Sequence, residues 1–286
     1  MPELPEIHAL AADLSTRLEA RVVDRVDVVS FAALKTYEPS ASALAGGLVG
    51  RVAHHGKFLD IPIGELHLVI HLARAGWVSW RENAPAVSRR PGATAVAARM
   101  VLDDGSGINV TEAGTKKRLA LYVVRDPLDI QAIAQLGVDP LGPRFTPELF
   151  ASILARSGRA HIKGVLRNQS LIAGVGNAYS DEILHAAKMS PFKPASMSVG
   201  DANQLFLAIV EVLKSAIARS DGLTASDLKR EKKLGLRVHG KTGEACPVCA
   251  DTIRQVTFAD STLQYCPTCQ TGGKVLADRV LSRLLR

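Results

Sequence analysis

The chain has 286 residues, 47% of them hydrophobic and 22% charged. That supports about two domain cores and excludes a disordered chain. No run approaches the ~20 apolar residues of a membrane span. The opening Met1-Pro2-Glu3-Leu4-Pro5-Glu6 lacks the basic and apolar regions of a secretory signal, so a cytoplasmic location is expected. Net charge is +7, and it is unevenly spread: from Lys229 onward there are eleven Lys or Arg against five Asp or Glu. A basic excess concentrated in so short a segment points to a polyanionic partner.

In chain order, Ile7, Leu10, Leu14 and Leu18 mark one face of a helix over Pro5–Leu18. From Arg21 to about Val124 the pattern shifts to short alternating runs. Leu66, Leu68, Ile70 and Leu72 alternate with other residues, as do Leu119, Leu121 and Val123. Asp103-Asp104-Gly105-Ser106-Gly107 separates two strand-like runs as a turn. Such strands suggest a β-sandwich or barrel, and Ala84 to Gly92 reads as a surface loop. Leu136 to Pro143 reads as a linker. Thr146-Pro147-Glu148 then opens a helical region running, with breaks, to about Ser220. Its longest apolar face is Leu205, Ile209, Val212, Ala216 and Ile217.

All four cysteines lie in the basic C-terminal segment, as Cys246-x2-Cys249-x16-Cys266-x2-Cys269. Two knuckles at this separation place four thiolates around one structural zinc ion. Two disulfides are the alternative, and a cytoplasmic chain disfavours them.

The first residues carry chemistry of their own. Once the initiator methionine is removed, Pro2 presents a secondary amine, and Glu3 and Glu6 stand beside it as acid or base. Attack of that amine on a sugar aldehyde carbon gives a cationic iminium that acts as an electron sink. Read alone, the same residues are also an ordinary helix start, with acids favoured by the helix dipole. Gly174 and Gly176 permit tight turns that leave N–H groups to face a phosphate, with Asn177 as the cap of a helix starting at Ala178.

Four landmarks together resemble the formamidopyrimidine-DNA glycosylase and endonuclease VIII family: Met1 to Glu6, His55-Gly56-Lys57-Phe58-Leu59, Gly174 to Glu182, and the cysteine pattern. The resemblance spans the whole chain. It implies an α+β multidomain protein with an N-terminal β-sandwich and leading helix, a helix–two-turn–helix domain, and a C-terminal β-hairpin zinc finger. The corresponding boundaries are 1–135, a linker at 136–146, 147–235 and 236–286.

The implied activity is a bifunctional glycosylase and abasic-site lyase of base excision repair. It would be a monomer acting on damaged or abasic double-stranded DNA in the nucleoid. Pro2 is then the Schiff-base nucleophile, Glu3 the acid that opens the sugar, and Lys57 a general acid and phosphate contact, with Glu6 nearby. Lys163, Asn177, Arg118 and Arg74 are the implied DNA contacts.

Some positions depart from the family pattern. Arg74 and Leu119 stand where an apolar wedge and an aromatic are common. Ser261, after Asp260, stands where the finger usually has a phosphate-gripping arginine. The stretch Asp221 to Gly240 is too short for a loop that closes over 8-oxoguanine, and Trp77 is a stacking wedge or, more simply, a core residue. These departures keep a second reading open, a DNA-binding protein with reduced chemistry. A zinc-ribbon transcription factor is a third, but it leaves the N-terminal motif idle.

Overall fold

The computed structural model describes residues 1–84, 95–258 and 261–277. Most of the expected Ala84–Gly92 loop lies outside the described residues. The chain packs as two units, Met1–Leu136 with Ser220–Lys229, and Gly137–Arg219 with Arg230–Arg286.

The first unit begins with helix α1 (Leu4–Leu18), whose Ile7, Leu10, Leu14 and Leu18 are fully buried, as the periodicity predicts. Among the described residues eight strands follow: β1 (Val23–Val28), β2 (Ala53–His55), β3 (Phe58–Ile63), β4 (Leu66–His71), β5 (Gly76–Arg81), β6 (Val96–Leu102), β7 (Gly107–Glu112) and β8 (Ala120–Val124). They form two antiparallel four-stranded sheets, ordered β1-β6-β7-β5 and β2-β3-β4-β8. One core collects side chains from both sheets and from α1, the sandwich that the alternating runs imply. The turn between β6 and β7 requires glycine at 107, because a Cβ there would sit 2.0 Å from the Met100 carbonyl oxygen.

Trp77 belongs to this core. It is 8% exposed, and its indole Nε1 donates to the Ala225 carbonyl at 3.0 Å. Asp13 Oδ2 accepts from Ala225 N–H at 3.2 Å, and Ala225 and Leu228 join the same apolar cluster. Residues 220–229 are therefore bound to α1 and to the β-sandwich through the N–H and C=O of Ala225 and by apolar burial. A short helix, α2 (Gln131–Ala134), ends the first part of the unit.

The second unit holds α3 (Pro147–Ser157), α4 (Ile162–Arg167), α5 (Asn177–Ala186) and most of α6 (Val199–Ser220). Thr146 caps α3 by accepting from Leu149 N–H, with Pro147 at the first turn, as its sequence signals. Along α6, Leu205, Ile209 and Ala216 are buried, and Leu213 replaces Val212 in the fully buried stripe. After α7 (Leu228–Gly235), the hairpin β9 (Arg254–Thr257) with β10 (Thr262–Tyr265) and helix α8 (Pro267–Thr271) form the cysteine-bearing end. No helix among the described residues is long and apolar enough to cross a membrane.

Candidate active site and zinc centre

Pro2, Glu3 and Glu6 are buried at the head of α1. Glu3 is the N-cap of the helix. The Glu6 carboxylate accepts from the Glu3 backbone N–H at 2.8 Å, and the Glu3 side chain returns the contact to Glu6 N–H. This reciprocal box fixes the backbone on which Pro2 and Glu3 sit. Helix α1 packs on β2 and β3, and the turn between those strands carries Lys57. Gly56 there has φ +55 and Lys57 is only 7% exposed. Beside it, burial first and then the Lys57 charge push His71 down to about 4, so this imidazole is neutral at pH 7. The His71 ring also lies against Phe58, 4.6 Å between centroids.

Arg74 and Arg118 are both exposed, on turns that meet. The Ala113 N–H donates to the Ala75 carbonyl at 3.2 Å, joining the turn before β5 to the loop between β7 and β8. Leu119 is 2% exposed and packs in the sandwich core, so it is not an exposed stacking residue.

In the second unit, three expectations are corrected. Asn177 is the first residue of α5 rather than its cap, which is Gly176. Its Nδ2 donates to the Thr262 carbonyl on β10 at 2.7 Å, and its Oδ1 is buried without a hydrogen-bond partner. The Gly174 N–H, expected to face a phosphate, is bound by Gln169 Oε1 at 3.0 Å, although φ +84 at Gly174 does mark the tight turn. Lys163, expected to contact DNA, is 6% exposed. Its Nζ meets Asp181 Oδ1 at 2.6 Å, Ser180 Oγ at 2.7 Å and the Asn177 carbonyl at 3.1 Å. A lysine engaged this way is an internal tie between α4 and α5.

The acidic pair that follows Ser180 makes contacts that sequence reasoning missed. Asp181 Oδ2 accepts from His239 Nδ1 at 2.7 Å and from the Gln264 backbone at 3.2 Å. Glu182 accepts the N–H groups of Arg237, Val238 and His239 at 2.8–2.9 Å. Burial raises the Glu182 carboxyl above its ordinary range despite those donors. Their adjacency in Asp181-Glu182 was the available signal, but nothing local shows that they bind residues more than fifty positions away.

The four cysteine sulfurs lie within 4.8 Å of one another and form no disulfide. The Cys249–Cys266 and Cys246–Cys269 sulfur separations are 3.3 and 3.9 Å. A tetrahedral zinc with bonds of about 2.3 Å needs sulfurs roughly 3.8 Å apart, so the cluster fits the ion. Burial pushes the Cys266 thiol to about 11 and Cys269 higher still. A cation that replaces those protons relieves the crowding. His185, 2% exposed on α5, places Nε2 3.3 Å from Cys246 Sγ and so supports a ligand from behind. The cysteines are a structural zinc site.

Residues 1–116 match the formamidopyrimidine-DNA glycosylase N-terminal domain, 136–227 its H2TH domain, and 243–272 the zinc finger found in FPG and IleRS. The formamidopyrimidine-DNA glycosylase of Symbiobacterium thermophilum is 33% identical across 94% of this chain and 89% of its own. The chain belongs to the formamidopyrimidine-DNA glycosylase family. A second family member, from Chloroflexus aurantiacus, is 31% identical over 94% of this chain and 98% of its own. An uncharacterized formamidopyrimidine-DNA glycosylase-like protein of Mycobacterium tuberculosis is 54% identical over 53% of this chain and 94% of its own. Among solved structures, the family fold recurs in the Fpg protein of Thermus thermophilus, 29% identical with a TM-score of 0.78 over 96% of this chain and all of that one. It recurs again in Lactococcus lactis Fpg complexed with abasic-site DNA, 25% identical with a TM-score of 0.82 over 94% and 99%.

Proposed function

We infer that this chain is a DNA glycosylase of base excision repair with abasic-site lyase activity. Its substrate is double-stranded DNA carrying oxidised or missing bases, and it acts as a monomer on the nucleoid. The observation that carries this reading is the head of α1. Pro2 and Glu3 are buried there on a backbone that Glu6 holds, and the helix packs on the strands whose turn presents Lys57.

The chemistry follows from these groups. Removal of Met1 frees the Pro2 nitrogen. A base stacked inside a duplex shields C1′, so the nucleotide must first be extruded. The Pro2 lone pair then forms a bond to C1′ while the bond from C1′ to the damaged base breaks, and the base leaves with a proton. Glu3 protonates the ring oxygen as the sugar opens to an iminium. Loss of a C2′ proton pushes electrons toward the iminium carbon, and the C3′–O bond breaks with the 3′-phosphate as leaving group. Lys57 supports that departing charge. Water then releases Pro2 from the sugar fragment. Glu6 acts through the backbone of Glu3, as a positioning residue.

A duplex containing one oxidised base, followed for base release and strand nicking, tests the reading. Both products are expected, and both are lost in Glu3→Gln. Tight binding of abasic DNA with neither product would instead establish a DNA-binding protein without the chemistry.

A further inference from the structure

Glu112 ends β7 and is 3% exposed. A buried carboxylate is costly unless it is well bonded. This one is bonded to its own loop. Its Oε1 accepts the N–H groups of Arg118 and Leu119 at 2.6 and 2.8 Å, while Lys117 Nζ donates to the Glu112 carbonyl at 2.6 Å. Fixing two successive peptide groups decides where the two side chains go: Leu119 enters the core and Arg118 is exposed. At its other end the loop is tied by Ala113 to the turn that carries Arg74, and Gly114, at φ +79, reverses the chain between them. Arg74, Lys116, Lys117 and Arg118 are thus exposed on two joined turns of one edge of the sandwich.

We propose that Glu112 is a positioning residue for duplex engagement, holding the loop 113–118 so that Arg118 meets the strand opposite the extruded nucleotide. The proposal rests on the glycosylase reading above. Leu119 is committed to the core, so this edge offers the vacated space guanidinium and ammonium groups rather than an apolar wedge. A loop ordered before binding avoids the entropy of ordering it on the DNA. Charge-assisted bonds to the peptide N–H groups are the device that orders it. The dependence on Glu112 belongs to the duplex alone, because a single strand leaves no opposite base to meet.

The test measures borohydride trapping rates on a single-stranded abasic oligonucleotide and on the same strand in a duplex, for the natural chain and for Glu112→Ala, Glu112→Gln and Arg118→Ala. Glu112→Ala should lose roughly tenfold or more on the duplex and stay within about twofold on the single strand, and Arg118→Ala should lose at least as much on the duplex. Glu112→Gln keeps an acceptor oxygen at the same reach and should recover most of the duplex rate. Four results would overturn the proposal: an unchanged duplex rate in Glu112→Ala, equal loss on both DNA forms, a silent Arg118→Ala, or a Glu112→Gln no better than Glu112→Ala. A natural chain that traps neither DNA form would overturn the glycosylase reading itself, a separate outcome.

Discussion

Replacing Lys163 with methionine separates two roles that the sequence left open. The Nζ lies 2.6 Å from Asp181 Oδ1, and the two side chains are 7% and 1% exposed. Methionine keeps most of the volume and removes the charge. Asp181 would retain His239 and the Gln264 N–H on Oδ2 but lose the lysine on Oδ1, and the Asn177 carbonyl would lose the lysine while keeping Ser180 Oγ. Removing one partner of a buried ion pair costs about 3–5 kcal/mol. At roughly 3 °C per kcal/mol for a unit of this size, the melting temperature of the second unit should fall by about 10 °C. Calorimetry measures the fall. The salt dependence of DNA binding, taken well below that transition, should keep its slope, because no phosphate contact has been lost. A stability change under about 0.5 kcal/mol, with the slope of log K against log salt shallower by about 0.9, would refute the internal role and restore a phosphate contact.

Other expectations follow from the same geometry. His71 titrates near 4 in the folded chain and near 6.5 when unfolded, so the unfolded state binds the extra proton between those values. Stability from this site is complete above about pH 6.5 and falls by up to roughly 3 kcal/mol as pH drops toward 4. Urea unfolding across that range should show the slope, and His71→Phe should flatten it. Cys266→Ser should release zinc and weaken DNA binding while the β-sandwich melts unchanged, and zinc analysis of fresh protein should find one ion per chain. His185→Ala should speed zinc loss to a chelator about tenfold or more, without changing the stoichiometry. Because Ala225 is held at both N–H and C=O, residues 220–229 supply no closing loop. In competition with formamidopyrimidine, thymine glycol and abasic duplexes, 8-oxoguanine opposite cytosine should not be cut fastest.

Much of the fold was legible because its signals are local. The apolar period of α1, the Asp103–Gly107 turn and the Thr146-Pro147 cap each depend on a few neighbouring residues, and each is found where the pattern puts it. Cysteine spacing is equally local and delivers the zinc cluster. What failed was direction. Lys163, Asn177 and Gly174 sit in the expected motif, yet Lys163 Nζ and Asn177 Nδ2 are bound to partners brought by tertiary packing, and the Gly174 N–H is taken by Gln169 five positions earlier. Glu112 carries no local signal, because only the folded loop turns Arg118 and Leu119 back onto it. The return of Ala225 to Trp77, 148 positions earlier, leaves no trace in periodicity. It removes Trp77 as a wedge and fixes it in the core.

The central claim is that Pro2 bonds covalently to the sugar. Its most direct test is borohydride reduction of the chain with abasic duplex DNA, followed by proteolysis and mass mapping of the cross-linked peptide. The account predicts one adduct, on a peptide that begins at Pro2, and none in a chain whose N-terminus stays blocked by Met1. An adduct carried by Lys57 or another lysine, or undiminished trapping with Met1 in place, would contradict it.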